Sequence, residues 1–139
     1  MKSYFDSSAL IAAFVEEEEH HERAADALLA EDAFTSTHAL AEVYATLTSG
    51  RAGIQLTPAE AIELIEANVV ARMKVLELSL QDYRAALEAG KTVGARGGAI
   101  YDMLHLQAAR QGEAKRIVTI NVRHFRAFAG DLAGMICEP

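Results

Sequence analysis

Short, mostly apolar segments alternate with longer amphipathic stretches along the whole chain. Residues 2–5, 33–36, 75–78 and 117–120 have the length and composition of buried strands, and residues 133–137 indicate a last edge strand. The longer stretches between them repeat apolar residues at helical spacing. Strands separated by helices in this way predict an α/β fold, with a central parallel sheet of four to five strands and helices on both of its faces.

The helical stretches have recognisable starts and stops. Residues 9–15, 22–31, 37–49 and 99–111 are the main ones, with further helices after Thr57 and Ser79 and a short one near Phe125. Capping-box patterns open the helices at Thr57–Glu60 and Ser79–Asp82. Helix 99–111 is apolar nearly all round, so we expect it to be buried on several sides.

Apolar stripes predict which side of each helix faces the core. The helix over residues 37–49 has a single stripe, formed by Leu40, Val43, Tyr44 and Leu47. The helix over residues 22–31 has a stripe formed by Ala24, Ala25, Leu28 and Leu29. The helix that follows Thr57 has one formed by Ile62, Ile65 and Val69. Glu42 falls opposite the first stripe, beside small residues. The pattern alone does not decide between water and another part of the protein as its neighbour.

Composition is that of one folded domain spanning residues 1–139. The chain has 139 residues, of which 51% are hydrophobic, enough to bury a core. The longest apolar run, Ala9 to Val15, is too short to span a bilayer and lacks the flanks of a signal peptide. The single Cys137 excludes an internal disulfide framework. We therefore expect a cytoplasmic protein without a membrane anchor.

Charge is unevenly distributed along the chain. The net charge of −7 argues against a generic basic nucleic-acid binder. Residues 1–50 contain ten acidic side chains against Lys2 and Arg23, whereas residues 51–139 contain eleven basic and ten acidic ones. A phosphate-bearing partner is therefore expected to meet mainly the second half of the chain.

Four oxygen-bearing side chains are candidates for a site at one edge of the sheet. Asp6 and Asn121 each follow a predicted strand, Asp102 begins the apolar helix, and Glu42 lies one turn into the helix after another strand. Two of them have a structural interpretation as well: Asp6 as a helix cap and Asp102 as a partner of the helix dipole. His105, three residues after Asp102, has the alternative role of a hydrogen-bonded core histidine.

Together these side chains favour a metal-dependent chemistry. Clustered carboxylates repel one another unless a cation offsets them, and ligands that are all oxygen suit Mg²⁺ or Mn²⁺ rather than Zn²⁺. The sequence contains no HExxH, CxxC, Walker or GxSxG motif. A carboxylate-held cation in an acidic cleft is suited to phosphodiester hydrolysis. A phosphatase with Asp6 as nucleophile is less favoured, because Ser8 stands where that chemistry needs a second acid.

Four segments in this order resemble the PIN-domain ribonucleases, and particularly the VapC-type toxins of bacterial toxin–antitoxin pairs. The matching segments are Tyr4–Ile11, Ala41–Val43, Tyr101–Leu106 and Val118–Phe125, so the resemblance covers essentially the whole chain. It implies a Rossmann-like fold, a divalent metal (Mg²⁺ or Mn²⁺) and endonucleolytic cleavage of RNA. By this resemblance Asp6, Glu42 and Asp102 hold the metal, and Ser8 and Thr119 orient carboxylates or water.

The resemblance also implies partners. A small cognate antitoxin is expected to cover the site, and a homodimer is expected as well. Candidates for contacts with the RNA backbone are Arg96, Lys115, Arg116, Arg123 and Arg126.

The sequence departs from the family pattern at one place. Asn121 and His124 occupy the two positions where the family's fourth acid is expected. Asn121 offers a carbonyl oxygen without charge, which favours one well-held ion over two and leaves low intrinsic activity open. A catalytically weak or inactive PIN fold that binds RNA or protein is therefore the alternative prediction.

Overall fold

The computed structural model describes residues 1–51 and 53–139 and has the predicted α/β layout. Its five strands are β1 (Lys2–Phe5), β2 (Asp32–Ser36), β3 (Lys74–Leu76), β4 (Arg116–Val118) and β5 (Ile136–Cys137). Every neighbouring pair is parallel, in the order β3-β2-β1-β4-β5. The predicted parallel sheet of four to five strands is confirmed.

Helices connect the strands. They are α1 (Ser7–Phe14), α2 (His21–Ala30), α3 (Thr37–Ser49), α4 (Pro58–Ile65), α5 (Leu80–Val93), α6 (Ala99–Gln111) and α7 (Val122–Phe128). A π-helical turn (Glu66–Val70) extends α4, and a short 3₁₀ helix (Gly130–Met135) precedes β5. In the described part of the chain, no helix has both the length and the apolar character needed to cross a bilayer.

Successive residues of β1 point to opposite faces of the sheet and into separate cores. Tyr4 packs with Phe34 and Ile117 in a core that includes residues of α5, α6 and α7. Phe5 packs with Val118 in a second core that includes residues of α1, α3 and α4. Both aromatic side chains are fully buried. This alternation is the reason that the sheet is covered on both faces.

Strand order reverses next to β1. The chain runs outward from β1 through β2 to β3, then returns to place β4 and β5 on the other side of β1. Such a reversal opens a crevice at the carboxyl ends of the two inner strands. Asp6 follows β1 and Thr119 follows β4, so both lie at this point.

Side-chain caps fix where the helices begin. Asp6 and Ser36 accept hydrogen bonds from Ala9 N and Ala39 N and so cap α1 and α3. Both predicted capping boxes are present, at Thr57–Glu60 for α4 and at Ser79–Asp82 for α5. The two caps at the sheet edge matter most for function, because they start helices directly after β1 and β2.

Several predicted core residues are exposed instead. Leu29 and Ile62 have 82% and 53% of their surface accessible, so their predicted burial is wrong. Tyr101 belongs to the helix that is apolar nearly all round, and 50% of its surface is accessible. In α4 the buried positions are Ala61 and Ile65, which lie one turn apart and rotate the buried stripe away from Ile62. Tyr44 lies at the margin of its stripe, with 36% of its surface accessible.

Three strands differ from the prediction by two or more residues at one end. β3 ends at Leu76 rather than at residue 78. β4 ends at Val118, so Thr119 and Ile120 lie beyond the ladder. β5 is only two residues long, because Ala133–Met135 form part of the 3₁₀ helix. The early end of β4 leaves the Thr119 hydroxyl free to reach across to Asp6.

Candidate active site

Asp6 is fixed by three donors at the carboxyl end of β1. Its Oδ1 accepts hydrogen bonds from Ser8 Oγ (2.7 Å) and Ala9 N (2.9 Å), and its Oδ2 accepts one from Thr119 Oγ1 (2.6 Å). Asp6 is therefore the cap of α1, which is the structural role that the sequence allowed for it. Burial raises the pKa of the Asp6 carboxyl despite these hydrogen bonds and the nearby His105. Ionised Asp6 is thus a desolvated negative charge.

Ser8 and Thr119 hold one another as well as Asp6. Their hydroxyl oxygens lie 3.3 Å apart. Ser8 Oγ also accepts the amide of Ile120 (3.0 Å), and Thr119 Oγ1 accepts the amide of Asn121 (3.0 Å). These bonds tie the segment after β4 to the start of α1.

Glu42 lies in the second turn of α3 and faces three neighbours. Its Oε1 accepts hydrogen bonds from Ser7 Oγ (3.2 Å) and His105 Nε2, and His38 Nε2 lies 3.4 Å away. Burial alone would raise the pKa of Glu42, but the two histidines lower it well below its usual range. Glu42 is therefore ionised at neutral pH. The pattern of α3 had left the neighbour of Glu42 open: in the structure its carboxylate contacts protein, whereas Ala41 and Ala45 beside it are exposed.

His105 joins Glu42 to a buried chain of hydroxyls. Its Nδ1 lies 2.6 Å from Tyr4 Oη, which in turn lies 2.9 Å from Ser36 Oγ. All three residues have at most 2% of their surface exposed. The core-histidine interpretation of His105 is correct in that both of its ring nitrogens have partners, although one of those partners is a carboxylate of the site.

Asp102 enters the same region from the first turn of α6. It is half-buried and makes no side-chain hydrogen bond to any described residue. Burial raises its pKa, the charges of His105 and His124 oppose this shift, and those of Glu42 and Asp6 add to it. The three predicted acids therefore lie within electrostatic range of one another, as the sequence predicts for a shared site.

The fourth predicted position is different. Asn121 is exposed at the start of α7, and its side chain does not cap that helix. It borders a cavity of about 520 Å³ together with Arg123, His124 and Glu138. His124 is exposed and close enough to influence the charge of Asp102. A histidine rather than an acid thus lies near Asp102 on this side.

A groove of about 450 Å³ runs along α3 beside Glu42. His38 lines it one turn before Glu42, and the ring of Tyr101 stacks on His38 with centroids 5.3 Å apart. Arg51 lines the groove farther along the helix. Small side chains form its floor, including Ala41 and Ala45, so the groove gives access to Glu42 from outside.

The predicted backbone-contact residues lie at two different edges of the sheet. Arg96 and Arg123 are exposed near the starts of α6 and α7, whose N-terminal ends lie toward the acids. Arg116 starts β4 and is paired with Glu31 at the opposite, amino edge. Lys115 precedes it, and its amide donates to Lys2 O there. Arg126 donates to Ile136 O (3.1 Å). The structure therefore does not bring Lys115 or Arg116 to the acids.

Sequence reasoning missed His38, Tyr4 and Ser36. His38 had a usable signal, because it precedes Glu42 by four residues on one helix and so lies on the same face. Tyr4 and Ser36 had none. Their hydroxyls meet His105 only because β1, β2 and α6 pack together.

The donors present fit a hard divalent cation. Asp102 has both oxygens without hydrogen bonds to described residues, and Glu42 has its Oε2 in the same condition. A carboxylate accepts about four hydrogen bonds and Asp6 uses three, which leaves room for one further contact. No described lysine or arginine is ion-paired with any of the three acids. A cation would offset their charge, and oxygen ligands suit Mg²⁺ or Mn²⁺.

The fold is a five-stranded parallel sheet covered by helices, and carboxylates lie at its switch point. The PIN domain family model matches residues 3–130. The chain belongs to the PIN domain family. A comparison with curated protein sequences finds no significant match.

Solved structures with the same fold include toxins of VapBC pairs. VapC20 of Mycobacterium tuberculosis, described as a sarcin-ricin loop cleaving toxin, is 15% identical with a TM-score of 0.72, covering 88% of this chain and 92% of that one. VapBC-1 from nontypeable Haemophilus influenzae is 22% identical with a TM-score of 0.64, covering 99% and 98%. VapBC2 of Rickettsia felis, bound to a DNA fragment from its promoter, is 15% identical with a TM-score of 0.64, covering 91% and 92%. At these identities the likeness establishes the fold.

Proposed function

We propose that this protein is a Mg²⁺- or Mn²⁺-dependent endoribonuclease and the toxin of a toxin–antitoxin pair. The observation that carries the proposal is the convergence of Asp6, Glu42 and Asp102 from three separate elements, with no basic ion-pair partner in residues 1–51 and 53–139 other than histidine. The membership in the PIN family and the toxins among its structural neighbours support the reaction class.

The three acids have different roles, which follow from their different surroundings. Asp102 and Asp6 are the main metal ligands, and the donors on Asp6 fix the direction of its remaining lone pair. Glu42 keeps its charge at neutral pH because His105 and His38 stabilise the ionised form. When bound, the cation neutralises the phosphodiester and lowers the pKa of water. The protein supplies the preorganised negative site and the position of the scissile phosphate.

Exposed basic side chains would hold the RNA backbone. Arg96 and Arg123 flank the acids from the starts of α6 and α7, and Arg51 lies in the groove beside Glu42. Phosphate contacts of this kind position the substrate without reading its sequence. Asn121 completes the wall beside Arg123 as a neutral polar group.

The remaining parts of the proposal concern the whole protein. Residues 1–139 form one PIN domain, which works in the cytoplasm as a homodimer and is held inactive by a small antitoxin. The VapBC complexes among the structural neighbours support an antitoxin partner. An arginine of such a partner would pair well with the carboxylates of the site.

Cleavage of RNA by the purified protein tests the proposal. With Mn²⁺ present we expect a structured RNA to be cut at discrete positions, and the Asp102→Asn variant to be slower by at least about a hundredfold, because charge stabilisation at the scissile group is lost. The matched control is Asp26→Asn, which neutralises an exposed carboxylate on α2 and should leave the rate unchanged. Equal cleavage by the wild type and Asp102→Asn would contradict the proposal.

Asn121 and His124 favour a second candidate, a PIN fold that binds RNA or protein without cutting it. With histidine near Asp102 and an exposed amide at position 121, the site lacks its fourth acid. In that case the protein would bind RNA equally with Mn²⁺ or a chelator and release no fragments. Growth inhibition in cells that survives the Asp6→Ala substitution would favour this candidate.

A further inference from the structure

The residues beside the acidic cluster include two histidines, whose role in the proposed reaction is limited to stabilising ionised Glu42. His38, Glu42 and His105 each offer one ligating atom, and these atoms all lie within 4.8 Å of one another. From this geometry we propose a second kind of metal site, in which His38, Glu42 and His105 bind Zn²⁺ or a similar late first-row transition ion.

The separation of the His38 and Glu42 donor atoms fits one shared ion. Ligands at about 2.0–2.1 Å from a tetrahedral zinc lie about 3.3 Å from each other. His38 Nε2 and Glu42 Oε1 are 3.4 Å apart. They are separated by four residues on α3, so one turn of helix sets this distance. His105 Nε2 donates a hydrogen bond directly to the same oxygen from α6, so zinc would replace that hydrogen bond and separate the two atoms.

His38 has an unused nitrogen at the right place. Its Nε2 is buried and makes no hydrogen bond within residues 1–51 and 53–139. Only 11% of the His38 side chain is exposed. Its nearest acceptor, Glu42 Oε1, lies 3.4 Å away but outside hydrogen-bond geometry. A buried polar atom satisfied only in part is costly, and a bound metal ion would satisfy it fully.

The hydroxyl chain behind His105 suits a metal ligand. An imidazole that binds a metal through Nε2 carries its proton on Nδ1 and usually donates it to a second group. Here Nδ1 faces Tyr4 Oη at 2.6 Å, and Tyr4 can pass its own hydroxyl proton to Ser36 Oγ at 2.9 Å. Hydroxyls both donate and accept, so this chain fits the metal-free and the metal-bound tautomer alike.

The donor set selects the ion. Two neutral imidazoles and one carboxylate form a His₂Glu set, which is a zinc set with a fourth position left open. Mg²⁺ prefers oxygen ligands alone. The groove along α3 supplies access to the open position, since His38 and Glu42 both line it.

The two metal sites share Glu42. Zinc held between the histidines therefore competes for that carboxylate with the Mg²⁺ or Mn²⁺ of the proposed nuclease. The zinc site itself does not depend on RNA cleavage, so its test uses binding and spectroscopy.

Titration of the purified full-length protein with Zn²⁺ by calorimetry, and with Co²⁺ by visible absorption, tests the site. We expect one tightly bound Zn²⁺ per chain and the intense visible bands of four-coordinate Co²⁺. His38→Ala and His105→Gln should each weaken Zn²⁺ binding by more than about tenfold, because even substitutions behind a ligand weaken affinity by about 10–100-fold. His20→Ala is the matched control and should not change it. Circular dichroism establishes that each variant is folded.

Asp102→Asn separates this site from the acidic one. It should leave the Co²⁺ spectrum and the Zn²⁺ affinity within about threefold of the wild type, since Asp102 is not among the three ligands. Zinc binding that survives His38→Ala but is lost in Asp102→Asn would overturn the proposal and assign the ion to the acids. Weak, octahedral Co²⁺ absorption in the wild type would overturn it without reference to any variant.

Discussion

Asp6 performs two tasks with one carboxylate. It caps α1 through Ala9 N and also presents an oxygen at the switch point of the sheet. Hydrogen bonds from Ser8 and Thr119 reduce the cost of burying its charge, but burial still raises its pKa. The metal-free protein thus carries a destabilising charge at a position where function requires it, a common feature of active sites.

The substitution Asp6→Asn should reveal this cost in the metal-free protein. A carboxyl whose pKa is raised by folding contributes stability below the unfolded pKa of about 3.9, and this is lost as pH rises through the folded pKa. Asn caps a helix as well as Asp does and stays neutral. We therefore expect Asp6→Asn to gain stability relative to the wild type between about pH 4 and pH 7, measured as the melting temperature with a chelator present.

Added Mn²⁺ should reverse the order. It should raise the melting temperature of the wild type by binding only the folded state, and leave that of Asp6→Asn nearly unchanged. Asp26→Asn again serves as the control and should follow the wild type in both conditions. A loss of stability in metal-free Asp6→Asn that grows from pH 4 to pH 7 would contradict this account.

Elements bring the site together through their ends. β1, α3 and α6 each deliver one acid, and the caps by Asp6 and Ser36 set where α1 and α3 start. Gly112 ends α6 and lies directly against Phe34 of β2: a Cβ added there would be 2.2 Å from Phe34 Cε2. The close packing of α6 on the sheet at this point helps to fix the direction in which its first turn presents Asp102.

Gly112→Ala should therefore destabilise the fold. The added methyl group meets a buried ring rather than a flexible chain end, and overpacking of this kind costs about 1–3 kcal/mol. Urea denaturation measures the loss. Gly134→Ala is the control, because a Cβ there meets nothing within 4 Å, and it should change the free energy of unfolding by less than about 0.5 kcal/mol. Equal effects of the two substitutions would show that the contact with Phe34 is unimportant.

The sequence predicted the positions of strands and helices better than it predicted which side of each helix is buried. Strand and helix positions followed from the spacing of apolar residues and from capping residues. The placement of Asp6, Glu42 and Asp102 at one edge followed because ligands gather at the carboxyl ends of parallel strands. Ile62 and Leu29 were assigned to the core wrongly, because a helix with apolar residues over a wide arc does not reveal which part of the arc is covered. The contact of Tyr4 with His105 joins residues 101 positions apart, and no local pattern records such a contact.

At the scale of the whole molecule, the two edges of the sheet carry different charged groups. The acids gather at the carboxyl edge of the sheet, and Arg116 is paired with Glu31 at the amino edge, where Glu31 also binds the terminal amine. Arg116 was a candidate for an RNA contact because of its charge, although its position before the predicted strand at residues 117–120 already indicates the amino edge. Arg96 and Arg123 remain the predicted contacts on the functional side.

Salt dependence of RNA binding distinguishes these arginines. Removing one phosphate-binding side chain reduces the slope of log affinity against log salt by about 0.7 for single-stranded RNA. We expect Arg123→Gln to weaken binding and reduce the slope by about that amount. Arg116→Gln should leave the slope unchanged. Filter binding at several salt concentrations measures both, and a reduced slope for Arg116→Gln alone would contradict the assignment of edges.

The central claim is that Asp6, Glu42 and Asp102 together hold a divalent cation. Calorimetric titration of the metal-free protein with Mn²⁺ tests it most directly, with the two histidines unaltered. The account predicts Mn²⁺ binding by the wild type, and binding weaker by more than about tenfold in Asp102→Asn, since a charged oxygen ligand is removed. Absence of Mn²⁺ binding, or binding of equal strength in Asp102→Asn, would contradict it.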